Sequence, residues 1–177
     1  PAIRRQATRA IILALLTLPE LRMARTIGLY ADFRGEVPTA RLGLLLCLAG
    51  KTVALPVSDR RQKSLIFRRI DHWHQLCRGA YGIREPNPGC PLVPPRALDL
   101  VVVPGVGFDR RGYRLGYGMG YYDRLLAELA PGCATVGLAF ACQVVPVLPR
   151  EAFDRPVDLV LTEDESIHTR EEARGIQ

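Results

Sequence analysis

Residues 114 to 123 read Arg-Leu-Gly-Tyr-Gly-Met-Gly-Tyr-Tyr-Asp. Glycines at alternate positions, Gly116, Gly118 and Gly120, let successive peptide N–H groups turn toward one point and let a ligand approach the backbone. The spacing of Leu125, Leu126 and Leu129 predicts a helix directly afterwards, whose positive dipole end adds to a site for phosphate oxygens. Arg114 can supply a forked cation. Asp123, in the first turn of the helix, either caps it or holds a divalent metal against phosphate. The loop has neither the Gly-Lys-Ser/Thr of a P-loop nor the G-x-G-x-x-G of dinucleotide folds. Glycine spacing alone therefore leaves two readings, a phosphate cradle or a tight turn whose tyrosines pack on the core. Tyr121 and Tyr122 have flat faces that suit a ring ligand or that core.

The elements that would position this loop alternate in type. An amphipathic helix over Ala7 to Leu18 is followed by a strand in RTIGLYADF, a helix in TARLGLLLCLAGK closed by Gly50, and a strand in KTVALPV. Residues 58 to 97 are richer in charge and turn formers, and REPNPGCPLVPPR reads as a surface loop. Further strands are expected at Leu98 to Val103, in ATVGLAFA and in VDLVLTED, with the helix YYDRLLAELA among them and a loop from Gln143 to Asp154. Strand, helix, strand in succession builds an α/β fold: an open sheet of five or six strands with ligands beyond the strands' carboxyl ends.

The chain has 177 residues, 48% of them hydrophobic, which suits one domain with a core of its own. Its formal charge of +6 and pI near 9.4 favour anionic partners without choosing among nucleotides, folates, nucleic acid and membrane surfaces. Only Lys51 and Lys63 are lysines, so arginine carries the positive charge. Five cysteines without a C-x-x-C pair suggest neither a disulfide framework nor a zinc site and fit a reducing cytoplasm. The apolar run Ala10 to Leu16 lacks the cleavage site of a secretory leader and is too short to span a bilayer. His72 and His74 flank Trp73 without an evident third ligand and read as partly exposed strand or loop residues; His168 reads as tail.

The longer stretch PGVGFDRRGYRLGYGMGYYDRLL, Pro104 to Leu126, strongly resembles the signature of 5-formyltetrahydrofolate cyclo-ligases, also called methenyltetrahydrofolate synthetases. The resemblance continues, in the family's order, through ARTIGLYADFRGEVPTARL, GKTVALPV, GIREP, GLAFACQ and LPREAFDRPVDLVLTED. It implies a three-layer α/β fold with an open sheet and helices on both faces, like ribose-phosphate isomerase and CoA transferases, forming a single domain over residues 1–177. It also implies an enzyme that closes the formyl group of 5-formyltetrahydrofolate onto N10 with hydrolysis of ATP to ADP and phosphate.

By the same resemblance Arg114, Leu115, Gly116, Tyr117, Gly118, Met119, Gly120, Tyr121 and Tyr122 form the ATP-phosphate loop, with Arg114 stabilising the phosphoryl in flight. Folate contacts fall to Ala31, Glu36 and the Tyr117 to Tyr121 part of that loop, and Mg2+ to Asp123 and Asp154. Asp154 would otherwise be a turn carboxylate bonding its own backbone, and Glu36 a surface charge. As a carboxylate facing ligand, Asp123 would contribute little to the core. The implied partners are 5-formyltetrahydrofolate and ATP, without nucleic acid or membrane, for a cytoplasmic monomer.

Three departures from the family's pattern are visible. The usual amino-terminal basic helix, with its Lys-x-x-x-Arg contact to ATP, lies upstream of where this chain starts; Arg5 and Arg9 repeat the four-residue spacing. Met119 and Phe153 replace residues that are often glycine or basic, and histidine. These departures keep two alternatives in view: a non-catalytic folate- or nucleotide-binding relative, and a basic nucleic-acid binder. Retention of Arg114, Asp123, Asp154 and Glu36 argues against the first. At 7% aromatic, with no RNA-binding motif, the chain does not fit the second.

Overall fold

The computed structural model describes residues 2–169. Helix α1 (Ala2–Thr17) begins at Ala2 rather than near Ala7 and buries Ala7, Ile11, Ile12 and Leu15, the three-and-four spacing of one helix face. Pro19 opens the short α2 (Pro19–Met23), where its missing N–H is no loss. After β1 (Thr26–Gly28) comes α3 (Ala40–Leu48). As expected Gly50 closes it: with φ at 75° it donates to the carbonyl of Cys47 while Lys51 donates to that of Leu46.

Strand β2 (Thr52–Asp59) then turns directly into β3 (Ser64–Ile70), and β4 (Leu76–Arg78) pairs with β5 (Arg84–Pro86) in a separate hairpin. Next are β6 (Leu92–Val93), β7 (Leu100–Val103), β8 (Gly107–Asp109) and β9 (Arg114–Leu115). Helix α4 (Tyr121–Glu128), β10 (Ala134–Leu138), β11 (Val144–Val145), β12 (Leu159–Leu161) and β13 (Ser166–His168) follow within the described residues.

Eight strands form the central sheet, in the order β13-β12-β10-β7-β1-β2-β3-β6. From β12 to β2 the pairing is parallel; at the flanks β13, β3 and β6 run antiparallel. Alternate residues of a strand feed opposite faces. Leu100 and Val102 of β7 join Ile11, Leu15, Leu42 and Leu46 from α1 and α3. Val101 and Val103 join Phe108 and Leu125 of β8 and α4 on the other face. The molecule is thus the mixed α/β sandwich expected, with helices on both sides of a mostly parallel sheet.

Two expectations are corrected. The sheet has eight strands rather than five or six, because residues 58 to 97 supply β3 and β6 and Ser166–His168 adds β13; REPNPGCPLVPPR holds β6 and, in the separate hairpin, β5. His168 is not tail: it pairs with Leu159 at the sheet's edge. A second, three-stranded sheet has the order β11-β8-β9, and the glycine loop leaves it from β9 to reach α4.

Candidate active site

The chain runs outward from β1 to β6, then returns to β7 on β1's other side and continues to β13. At such a reversal the carboxyl ends of neighbouring strands part and leave a crevice. A cleft of about 750 Å³ lies there, lined by Tyr30 and Ala31 after β1, Ser58 in β2, and Pro104 and Gly105 after β7. Every residue predicted for the site lines it: Ala31, Glu36, the whole run Arg114 to Tyr122, Asp123 and Asp154.

The glycine loop joins β9 to α4. Gly118 and Gly120 have φ of 79° and 66°, left-handed conformations that favour glycine, whereas Gly116 is not left-handed. Gly120 is the residue before α4, and no side chain caps that helix end. Asp123 therefore does not cap it. Its Oδ2 accepts from Nη2 of Arg114 at 2.8 Å and its Oδ1 from the backbone N–H of Arg155 at 3.2 Å. The ion pair is nearly dry, its two side chains 7% and 14% exposed. The Arg114 guanidinium also lies 5.4 Å from the Tyr122 ring centre, and its buried Nε has no hydrogen-bond partner among the described residues.

Asp109 holds the base of this assembly. Almost fully buried, it accepts from the N–H groups of Arg111 and Tyr113 through Oδ1 and of Leu148 through Oδ2. One carboxylate thus ties the β8–β9 turn, which leads into Arg114, to the segment before Asp154.

Glu36 is not a surface charge but is 7% exposed. Its Oε2 accepts from the N–H of Phe33 at 2.8 Å. Burial pushes its carboxyl up to about 7, the Phe33 hydrogen bond opposes the rise, and Asp32 adds to it. The loop around it is braced by the Tyr30 hydroxyl on the carbonyl of Val37 at 2.8 Å, and burial raises that phenol well above its ordinary range. Opposite, Tyr117 meets Phe33 edge-on with ring centres 5.8 Å apart, while Arg34 lies 4.9 Å from the Phe33 ring centre. The Glu36 wall is therefore a carboxyl beside aromatic faces, chemistry suited to a planar heterocycle with N–H donors.

Asp154 makes the contact of a turn carboxylate and also lines the cleft: its Oδ2 accepts from the N–H of Glu151 at 2.7 Å. The Arg155 amide that bonds Asp123 places the two carboxylates on the same wall. Mg2+ is commonly held by one or two carboxylates with water and substrate phosphates. The donor set fits that ion: two carboxylates lining one cleft, with lone pairs to spare, one of them paired with a buried cation. No cluster of three His, Cys, Asp or Glu that could enclose a metal exists among the described residues. His72 and His74 stack on each other 5.1 Å apart beside an exposed turn, and the five cysteines are free.

Sequence reasoning missed residues in and behind the cleft. Arg4, which does not itself line it, supports the Glu36 loop in place of Arg5 or Arg9, donating to the carbonyl of Glu36 at 3.0 Å. Tyr81, at the tip of the β4–β5 hairpin, brings its hydroxyl within 3.4 Å of the Tyr121 hydroxyl. Glu85, buried in GIREP, accepts from the Ser58 N–H at 3.0 Å. A charged residue amid prolines and glycines gives no periodic signal, so only the hairpin's closure against the sheet brings it inside.

A family model described as the 5-formyltetrahydrofolate cyclo-ligase family matches residues 1–163. The 5-formyltetrahydrofolate cyclo-ligase of Haemophilus influenzae is 37% identical over 155 residues, 86% of this chain and 83% of that protein. Its namesake from Escherichia coli K12 is 36% identical over 151 residues, covering 84% and 83%. Among solved structures, the NMR structure of Aquifex aeolicus 5,10-methenyltetrahydrofolate synthetase superposes with a TM-score of 0.81 at 37% identity, covering 94% of this chain and 82% of that one.

Proposed function

The chain belongs to the 5-formyltetrahydrofolate cyclo-ligase family, and from that premise we propose that it converts 5-formyltetrahydrofolate to 5,10-methenyltetrahydrofolate with hydrolysis of ATP to ADP and phosphate. The observation that carries this reading is the convergence of Arg114, Asp123, Asp154, Glu36 and the glycine loop on one cleft. Fold reversal, loop geometry and charge all point into the same space.

In the proposed reaction the formyl oxygen attacks the γ-phosphorus of ATP, and the bond to ADP breaks. The phosphorylated imidate so formed has an electrophilic carbon. N10 attacks it, the C–O bond breaks, and phosphate departs with the formyl oxygen and the N10 proton. The protein's part is alignment and charge stabilisation. Glycine-loop N–H groups and the start of α4 receive phosphate oxygens. The Arg114 Nε, buried and without a partner, is a preplaced donor for the transferring phosphoryl. Glu36 accepts hydrogen bonds from the pterin ring, and Tyr117 and Phe33 cover the ring's flat surface. Asp123 and Asp154 would hold Mg2+, which screens phosphate charge when bound.

The test mixes the protein with 5-formyltetrahydrofolate and Mg-ATP and follows the near-ultraviolet absorbance of the methenyl product. ATP-dependent growth of that signal is the expected result. A folded protein that binds folate without producing the signal would overturn the reaction and favour a non-catalytic relative.

A further inference from the structure

The outer side of the glycine loop is held by an arginine the reaction does not use. Arg124, in the first turn of α4, folds back over the loop. Its Nη1 donates to the carbonyl oxygen of Met119 at 2.9 Å and to that of Lys63 at 2.8 Å. The guanidinium also lies against Gly120, where a Cβ would stand 3.3 Å from Nη1 and 3.6 Å from Nη2. Lys63 ends the β2–β3 turn in the left-handed conformation, φ 51°. A single nitrogen thus bridges the loop to a hairpin whose β2 and β3 are integral to the central sheet.

The bridge matters because of what it restrains. Gly118 and Gly120 on either side of Met119 are both left-handed, a stretch with much conformational freedom to lose when a ligand arrives. A planar peptide carries its C=O and N–H in opposite directions. Fixing the Met119 carbonyl on Arg124 therefore fixes the Gly120 N–H to point away from the clamp. Ordering completed before binding is not charged against affinity afterwards.

We propose that Arg124 is a positioning residue that clamps the glycine loop to the β2–β3 turn and presets its phosphate-binding form. The proposal rests on the reading of this loop as the nucleotide site. It assigns Arg124 no contact with ligand: both of its hydrogen bonds go to backbone carbonyls. It also gives a purpose to the β2–β3 turn, which otherwise stands outside the reaction.

The test compares the wild-type protein with Arg124→Ala and Arg124→Lys. Amide hydrogen exchange of residues 116–121 without ligands reads the clamp directly, and steady-state kinetics with Mg-ATP reads its consequence. In Arg124→Ala the loop amides exchange about tenfold faster and KM for Mg-ATP rises about tenfold, as loss of charge-assisted hydrogen bonds predicts. The melting temperature falls by at most about 6 °C, kcat changes little, and added guanidinium ion restores part of the affinity. Lysine keeps the charge without the planar head seated on Gly120, so Arg124→Lys recovers only part of the loss. Exchange and KM in Arg124→Ala indistinguishable from wild type would overturn the clamp. Full recovery in Arg124→Lys would overturn it as well, by assigning the effect to charge. Wild-type protein that does not consume ATP with the folate defeats the reading of the site, whereas the exchange comparison still decides the clamp.

Discussion

Replacing Asp123 by asparagine keeps the side chain's shape and removes its charge, and the structure sets how much that should matter. The Arg114–Asp123 pair is 2.8 Å apart with only 7% and 14% of its side chains exposed. The guanidinium would be left in the wall of the cleft without a countercharge, and its Nε already lacks a partner. Breaking a fully buried pair costs about 3–5 kcal/mol, and the cleft's access to water lowers the expectation here to about 2–4 kcal/mol. For a chain of this size each kcal/mol moves the melting temperature by about 2–4 °C, so thermal unfolding without ligands should shift down by about 5–15 °C. The double variant with Arg114→Met removes the stranded charge and should recover about 2 kcal/mol, the coupling a double-mutant cycle isolates. An Asp123→Asn protein that melts with wild type would refute the reasoning and return Asp123 to a ligand-facing carboxylate with no share in stability.

Other expectations follow from the same geometry. Arg114→Lys should lower kcat by about a hundredfold or more while folate affinity changes little, because an ammonium cannot reproduce the planar fork at the phosphoryl; unchanged turnover removes Arg114 from the reaction. Glu36 has a folded-state value of about 7 against an ordinary 4.5, so the folded protein holds a proton that the unfolded chain loses in that interval. Its contribution is full below about 4.5 and is lost as pH rises through 7, amounting to at most about 3 kcal/mol. Thermal melts from pH 5 to 8 should show Glu36→Gln gaining on wild type as pH rises; parallel curves would contradict the burial argument. Gly137→Ala places a Cβ 2.5 Å from the fully buried Phe108 ring. The overpacking should cost about 1–3 kcal/mol in denaturant unfolding, and a neutral result would show that the ring can move aside.

Much of the fold was legible because its strands and helices announce themselves by period. Leu100 to Val103 is apolar throughout because helices or strands cover both faces of β7, and the α3 terminus was fixed by one glycine with a mechanism. The β2–β3 hairpin was not, because Arg68 and Arg69 interrupt the apolar alternation of β3. A tertiary partner explains the first, since Arg68 donates to the carbonyls of Pro88 and Cys90, whereas Arg69 stays exposed and pairs locally with Asp71. Charge inside a strand is read from sequence as loop when its acceptors lie twenty positions away. The site followed the same division. Motif spacing located the glycine loop and its acids, yet the burial of Glu36 and the Arg114–Asp123 pair depend on how separate segments close on each other.

That closure has a physical logic that joins the two sheets. The parallel strands end in backbone that must find partners or water, and at β1 and β7 they end on opposite sides of a reversal. The small sheet β11-β8-β9 closes one side of the resulting gap, with Phe108 packed into the space left by Gly105 and Gly137. Asp109 then spends its whole carboxylate on three backbone N–H groups, fixing the turn that delivers Arg114. If that chain of support is the reason Arg114 is held, Asp109→Asn should lower kcat while leaving binding of the folate alone near wild type. An amide oxygen can keep the bonds to Arg111 and Tyr113, but the amide nitrogen cannot accept the Leu148 N–H. Loss should therefore fall on the contact between the β8–β9 turn and the segment leading to Asp154, seen as faster hydrogen exchange at Leu148. Full kcat together with a freely exchanging Leu148 would break the chain at that link, and show that Arg114 is held by Asp123 and Tyr122 alone.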